Sequence, residues 1–118
     1  MKTFAVFLDE ARFHQELHIN PHPDTVKNIA KKAGSVRFVI HSNGDMHAGS
    51  SYSHTHDSLI GDADTYHAAG VVHHVHGNEF CMYAEAPDHN NPIDHPHIKR
   101  LEKHGVELSL TSAQTPRG

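Results

Sequence analysis

Histidine is the residue type that gives this sequence its chemical character, with 15 among 118 residues. Six of them form three His-x-His pairs, which are His54/His56, His74/His76 and His95/His97. In a β-strand, residues at i and i+2 project to the same face. Two imidazoles placed in this way can bind one transition-metal ion at about 2.0–2.1 Å per nitrogen. The spacing therefore predicts a transition-metal-binding protein.

The pair His74/His76 lies directly before Gly77-Asn78, a dipeptide typical of a tight β-hairpin turn. A two-residue turn there would pair His76 with Glu79 and His74 with Cys81 across the two strands. Imidazole, carboxylate and thiol groups would then share one face, and the alternate residues would form an apolar face opposite. We therefore predict His74, His76 and Glu79 as metal ligands.

His54 and His56 are predicted to complete the coordination, because they are the second His-x-His pair and lie in a polar, carboxylate-rich segment. A divalent ion with an open position lowers the pKa of a bound water and so activates it for hydrolysis. Asp57 and Asp64 are the expected acid and base of such a metal-dependent hydrolase. Zinc is the first expectation for the ion, with iron, nickel and copper as alternatives.

Three other functions fit the same histidines. A non-catalytic metal carrier, sensor or buffer would also use many of them, and a pH-responsive binding protein would use their titration near pH 6. The order of residues 73–78, Asn90-Asn91 and then His97 or His104 also resembles the His…Asn…His order of HNH-type nucleases. That resemblance implies a histidine that activates water beside a divalent ion.

Composition limits the partners. The net charge is -4, and Lys31-Lys32 and Lys99-Arg100 are the only adjacent basic pairs, which argues against nucleic acid. The sequence shows no apolar run of membrane-spanning length and no signal-peptide pattern, so we expect a cytoplasmic protein that does not enter membranes. Cys81 is the single cysteine, which excludes an internal disulfide framework. The expected partner is a metal ion or small molecule, and a homo-oligomer is left open.

Hydrophobic periodicity predicts the elements that must position these residues. The expected order is a strand over 3–8, helices over 10–19 and 24–33, a strand over 35–41, an unassigned segment over 46–61, a short helix over 62–69, strands over 71–76 and 79–85, a helix over 96–103 and a strand over 106–110. Asp24 is the expected N-cap of the second helix. The order indicates one small α+β domain over 1–118, with a mixed β-sheet, two to four helices and a flexible tail at 112–118. A doubly wound α/β fold is the alternative.

Overall fold

The computed structural model describes residues 16–61, 65–85 and 95–108. These ranges contain six strands and three helices, which are β1 (His18–Ile19), α1 (Pro23–Ala33), β2 (Ser35–His41), β3 (Met46–Ser50), α2 (His56–Ile60), β4 (Tyr66–His76), β5 (Glu79–Glu85), α3 (Pro96–Lys103) and β6 (Val106–Leu108). The strands form one sheet in the order β1-β3-β2-β4-β5-β6. Neighbouring strands are antiparallel except β5 and β6, which are parallel because α3 connects them as a crossover. No helix in the described ranges is long and apolar enough to cross a membrane.

Helices α1 and α3 pack on one face of the sheet, called here the helix face. The period-two alternation of β2 turns Val36, Phe38 and Ile40 toward it. The stripe on α1 that meets them has helical spacing. Together these elements form the core, whose buried members are Val26, Ile29, Ala30, Val36, Phe38, Ile40, Met46, Ala48, Ala68, Val72, Phe80, Met82, Ala84, Ile98, Leu101 and Val106.

The opposite face, called here the outer face, is covered in part by residues 51–60. Arg37 projects from β2 onto this face and donates hydrogen bonds to the backbone carbonyls of Ser51 (3.1 Å) and His54 (2.6 Å). Leu59 of α2 is 2% exposed, although it belongs to no part of the helix-face core. The segment left unassigned by the sequence is therefore a strand followed by a short helix that is fastened to the sheet.

The α+β fold class is confirmed, with a mixed sheet and a helix number within the expected range for the described residues. Helix α3 has the predicted bounds, and α1 ends as expected at Gly34, whose φ of 88° is accessible to glycine. The doubly wound alternative required a helix at 79–85, where the structure has β5. The strand at 3–8 and the tail at 112–118 lie outside the described residues.

Two predicted helices are wrong where the structure describes them. Residues 18–19, the end of the helix predicted over 10–19, form β1, which pairs with β3 at the edge of the sheet. Residues 66–69, the end of the helix predicted over 62–69, belong to β4, which lies at the centre of the sheet between β2 and β5. In both cases tertiary pairing with a neighbouring strand outweighs a weak local helix pattern.

The predicted register of the β4–β5 hairpin is wrong beyond its turn. His76 pairs with Glu79 as expected, but His74 pairs with Phe80 instead of Cys81. An irregularity between His74 and His76 inserts one extra residue into β4, which is the definition of a β-bulge. That residue, Val75, is 56% exposed.

The register of the hairpin shifts because the apolar residues of both strands must pack into the core. The apolar residues of β5 (Phe80, Met82) face the helices, and the shifted register places Val72 opposite Met82 on the same face. The predicted register would have turned Val72 away from the core and exposed it. The bulge accommodates both the tight turn and the buried pairs, and it moves His73 opposite Cys81 on the outer face.

Candidate histidine sites

Two histidines act as helix N-caps. His22 precedes α1, and its Nδ1 accepts a hydrogen bond from the backbone N–H of Asp24 at 3.1 Å. His95 precedes α3, and its Nδ1 accepts from the backbone N–H of His97 at 3.2 Å. Each is followed by a proline at the first helical position, where the fixed φ suits the helix and the missing N–H costs nothing. The same two-residue pattern, His-Pro, therefore begins both long helices of the described chain.

The environment of His95 consists mainly of other imidazoles. Its ring lies 5.0 Å from that of His67 on β4 and 5.3 Å from that of His97, centroid to centroid. Burial lowers the pKa of His95, and the positive charges that His67 and His97 would carry lower it further. His97 donates from Nε2 to the backbone carbonyl of Gly44 at 3.1 Å, which ties the start of α3 to the β2–β3 turn. The surroundings of His95 therefore favour its neutral form.

The environment of His22 is mixed in charge. The ring of His104, at the end of α3, meets it edge to face with centroids 5.2 Å apart. The Asp24 carboxylate lies 3.7 Å from Nδ1 of His22 and 3.9 Å from Nδ1 of His104. Lys27 approaches the same carboxylate at 3.6 Å. A proton on either ring would have a carboxylate beside it, in contrast to the surroundings of His95.

A second pair of histidines lies on the outer face near the β2–β3 turn. The rings of His41 and His47 are 4.2 Å apart, centroid to centroid. His41 contacts the Leu59 carbonyl from Nε2 at 3.0 Å, and because a carbonyl only accepts, Nε2 carries the hydrogen and Nδ1 has the lone pair. Burial lowers the pKa of His47, as does the charge of His41, whereas Asp45 acts in the opposite direction.

His54 and His56, two of the predicted ligands, both lie over the outer face but make separate contacts. The His54 ring lies directly on Gly49, so that a β-carbon added to that glycine would stand 2.2 Å from ring atom Cδ2. His56 donates from Nε2 to the Gly70 carbonyl at 2.8 Å. Asp57 is exposed in the first turn of α2, and its backbone carbonyl accepts from Gly61. Asp64 and the third carboxylate of this segment, Asp62, lie outside the described residues.

The bulge separates the metal ligands that were predicted in the hairpin. His74 faces Phe80 with ring centroids 5.2 Å apart and donates from Nε2 to the Gly77 carbonyl. His76 remains beside Glu79, with Nδ1 and Oε2 3.4 Å apart, but both side chains are well exposed. Cys81 lies on the other face of the sheet from His74. The structure therefore keeps the His76–Glu79 pair and separates it from His74, His54 and His56.

Among the described residues, no three histidine, cysteine or acidic side chains are grouped so that they could hold a metal ion. Six described imidazoles are instead hydrogen-bonded to the main chain, with Nδ1 as the acceptor in His22 and His95 and Nε2 as the donor in His41, His56, His74 and His97. The prediction of Asp24 as the N-cap of α1 is wrong, because the cap is His22. Sequence reasoning missed both capping histidines, although a proline at the first helical position marks the preceding residue as the N-cap. A search of protein-family models, curated proteins and solved structures finds no match to this chain.

Proposed function

We propose that this is a pH-responsive, histidine-rich binding protein whose two long helices loosen at their first turns when the pH falls. The observation that supports the proposal is the use of histidine Nδ1 as the N-cap acceptor of both α1 and α3. A ring nitrogen accepts a hydrogen bond only while it is unprotonated. Protonation therefore removes the cap and adds a positive charge at the positive end of the helix dipole.

Protonation breaks the hydrogen bonds in which His22 and His95 accept, and it leaves intact those in which a ring donates. His41, His56 and His97 donate to backbone carbonyls from Nε2, and a doubly protonated ring keeps that hydrogen. Their hydrogen bonds survive acidification, whereas those of His22 and His95 do not. Protonation thus changes the two helix starts while the contacts of these three rings with the main chain remain.

The sign of the effect follows from the neutral state of His95. Because the pKa of His95 is lowered in the fold, its contribution to stability is present above about pH 6.5, the ordinary histidine value, and is lost as the pH falls from there through the lowered pKa. His67 and His97 face the same ring, and their protonation opposes its own. The acid form gathers positive charge at this end of α3, which favours an anionic partner.

The proposal is tested by following backbone amides by ¹H–¹⁵N NMR from pH 7.5 to 5.0. In the wild-type protein the amides of Asp24 and His97 should both shift with pH, and the midpoint at His97 should lie below about 6.5 because the pKa of His95 is lowered. In the double variant His22→Asn/His95→Asn the caps do not titrate, so these shifts should disappear. His76→Asn is the matched control, since it removes an exposed histidine that caps nothing. Unchanged titration of both amides in the double variant would reject the proposal.

Transition-metal binding is the second candidate, and a specific observation favours it at His41 and His47. Metal-binding histidines commonly donate their other ring N–H to a carbonyl, as His41 does to Leu59. The lowered pKa of His47 keeps a lone pair available at neutral pH. Two imidazoles with water in the remaining positions are typical of an exchangeable site, so this arrangement fits a metal carrier or buffer better than a structural site.

Zinc titration calorimetry at pH 7.5 on protein without a purification tag separates the metal hypotheses. His47→Ala should abolish zinc binding if the outer-face pair is the site, while His76→Ala should leave it unchanged. The reverse result would favour the hairpin residues predicted from the sequence. Metal binding would be rejected if elemental analysis finds no bound ion and calorimetry detects no heat of zinc binding. A hydrolase that uses Asp57 and Asp64, and iron, nickel or copper as the ion, stay predictions.

A further inference from the structure

We infer that a cavity between α1 and the β4–β5 turn binds a small phosphorylated compound. The cavity has a volume of about 310 Å³ and is lined by Asp24, Lys27, Asn28, Lys31, Asn78 and Phe80. It lies apart from the outer-face histidines. Its ligand chemistry depends on lysine and asparagine side chains, so the inference goes beyond the proposed response to pH.

Two ammonium groups lie over the Phe80 ring, which forms the floor of this cavity. Nζ of Lys27 and Nζ of Lys31 each lie 5.9 Å from the centroid of the Phe80 ring, a distance at which a cation is attracted to an aromatic face. Residues at i and i+4 are neighbours on a helix surface, where like charges repel. The fold thus places two positive charges side by side, and an anion between them would relieve their repulsion.

The remaining polar groups supply hydrogen-bond donors. Lys31 donates one of the three N–H bonds of its ammonium to Oδ1 of Asn78 at 3.0 Å. This bond fixes the orientation of the Asn78 carboxamide and leaves its NH₂ group as a donor. Asn28 adds a second carboxamide from α1. Several donors converging from a helix and a turn match a phosphate group, which has three or more acceptor oxygens.

Asp24 is the single carboxylate of the lining, and its charge is compensated locally. Lys27 approaches Oδ1 of Asp24 at 3.6 Å and also donates to the His104 carbonyl at 2.9 Å. The two lysines against one aspartate leave the lining with a net positive charge. Phe80 is 5% exposed, so the floor offers little apolar surface. Charge and hydrogen bonding, rather than apolar contact, must therefore select the ligand.

Pyrophosphate is the probe of choice, titrated by ¹H–¹⁵N NMR at pH 7.5 and constant ionic strength. The amides of Asn28, Lys31 and Asn78 should shift and saturate together. The double variant Lys27→Gln/Lys31→Gln should weaken binding at least tenfold, with far-UV circular dichroism confirming that it is folded. Lys103→Gln, an exposed lysine on α3 outside the cavity, is the matched control and should change the affinity less than twofold.

A second variant tests the charge argument from the opposite direction. Asp24→Asn removes the carboxylate from the lining and should tighten pyrophosphate binding several-fold. Shifts that rise linearly without saturation would overturn the inference, as would an equal loss of affinity in Lys103→Gln. The titration at pH 7.5 does not require protonated histidines, so its failure would leave the proposed pH response intact.

Discussion

Substitution of His95 by asparagine separates the capping role of this residue from its titration. Asparagine is at least as good an N-cap as any other residue, because its side-chain oxygen accepts the same backbone hydrogen bond. It does not become charged in acid. His95→Asn should therefore match the wild-type free energy of unfolding at pH 7.5 and exceed it at pH 5.0.

The expected size of the effect follows from the structure. The hydrogen bond from the His97 backbone N–H to Nδ1 is 3.2 Å long, and losing an N-cap of this kind costs roughly 1 kcal/mol. A positive charge at the start of α3 lowers the stability further, by about 0.3–1 kcal/mol, because it lies at the positive end of the helix dipole. The wild-type protein should thus lose about 1–2 kcal/mol at this helix start between pH 7.5 and 5.0, and the asparagine variant should lose none of it.

Urea unfolding followed by far-UV circular dichroism at the two pH values measures the difference directly. His76→Asn is the control, because the His76 side chain is exposed and caps no helix. That variant should lose as much stability in acid as the wild type. If His95→Asn also loses as much as the wild type, the cap is not the acid-sensitive contact and the reasoning is refuted.

Three further substitutions test the packing that positions the outer-face histidines. Gly49→Ala places a β-carbon 2.2 Å from the His54 ring, which can swing aside, so urea unfolding should show a loss of only about 1 kcal/mol while the His54 ring resonances shift. Gly70→Ala places a β-carbon 2.2 Å from the backbone oxygen of Tyr83, which cannot move aside. Urea unfolding should therefore show a loss of stability of about 3 kcal/mol or more. Arg37→Lys removes the guanidinium nitrogen Nη1, which donates to both backbone carbonyls, so we expect a lower melting temperature and faster proteolysis at residues 51–60.

The parts of the fold that could be predicted are those in which one local signal and one burial pattern agree. Helix α3 has a proline at its first position, Ile98 and Leu101 one turn apart, and Gly105 after its end, and all three features are local. Strand β2 has strict alternation between buried and partly exposed residues over its first half. Both elements are found with the predicted bounds.

The hairpin register could not be predicted in the same way. The turn residues Gly77-Asn78 specify a register from one end, and the apolar residues of β5 specify another from the core. Both requirements are satisfied only by a bulge, and nothing in a single sequence indicates which strand will contain the extra residue. The predicted metal site assumed a regular register without a bulge, and for that reason it combined His74 with residues on the other face of the sheet.

From the sequence alone, the many histidines are interpreted as a metal-binding feature. The contacts of the rings draw attention instead to helix capping. Helices that need only a stable start use serine, threonine, aspartate or asparagine as the N-cap, and none of these loses its acceptor near pH 6. Histidine at both His22 and His95 provides the same hydrogen bond with a sensitivity to acid that the common caps lack. Burial lowers the pKa of His95, and the imidazoles of His67 and His97 lower it further. The start of α3 should therefore stay capped above about pH 6.5 and loosen only as the pH falls below that value.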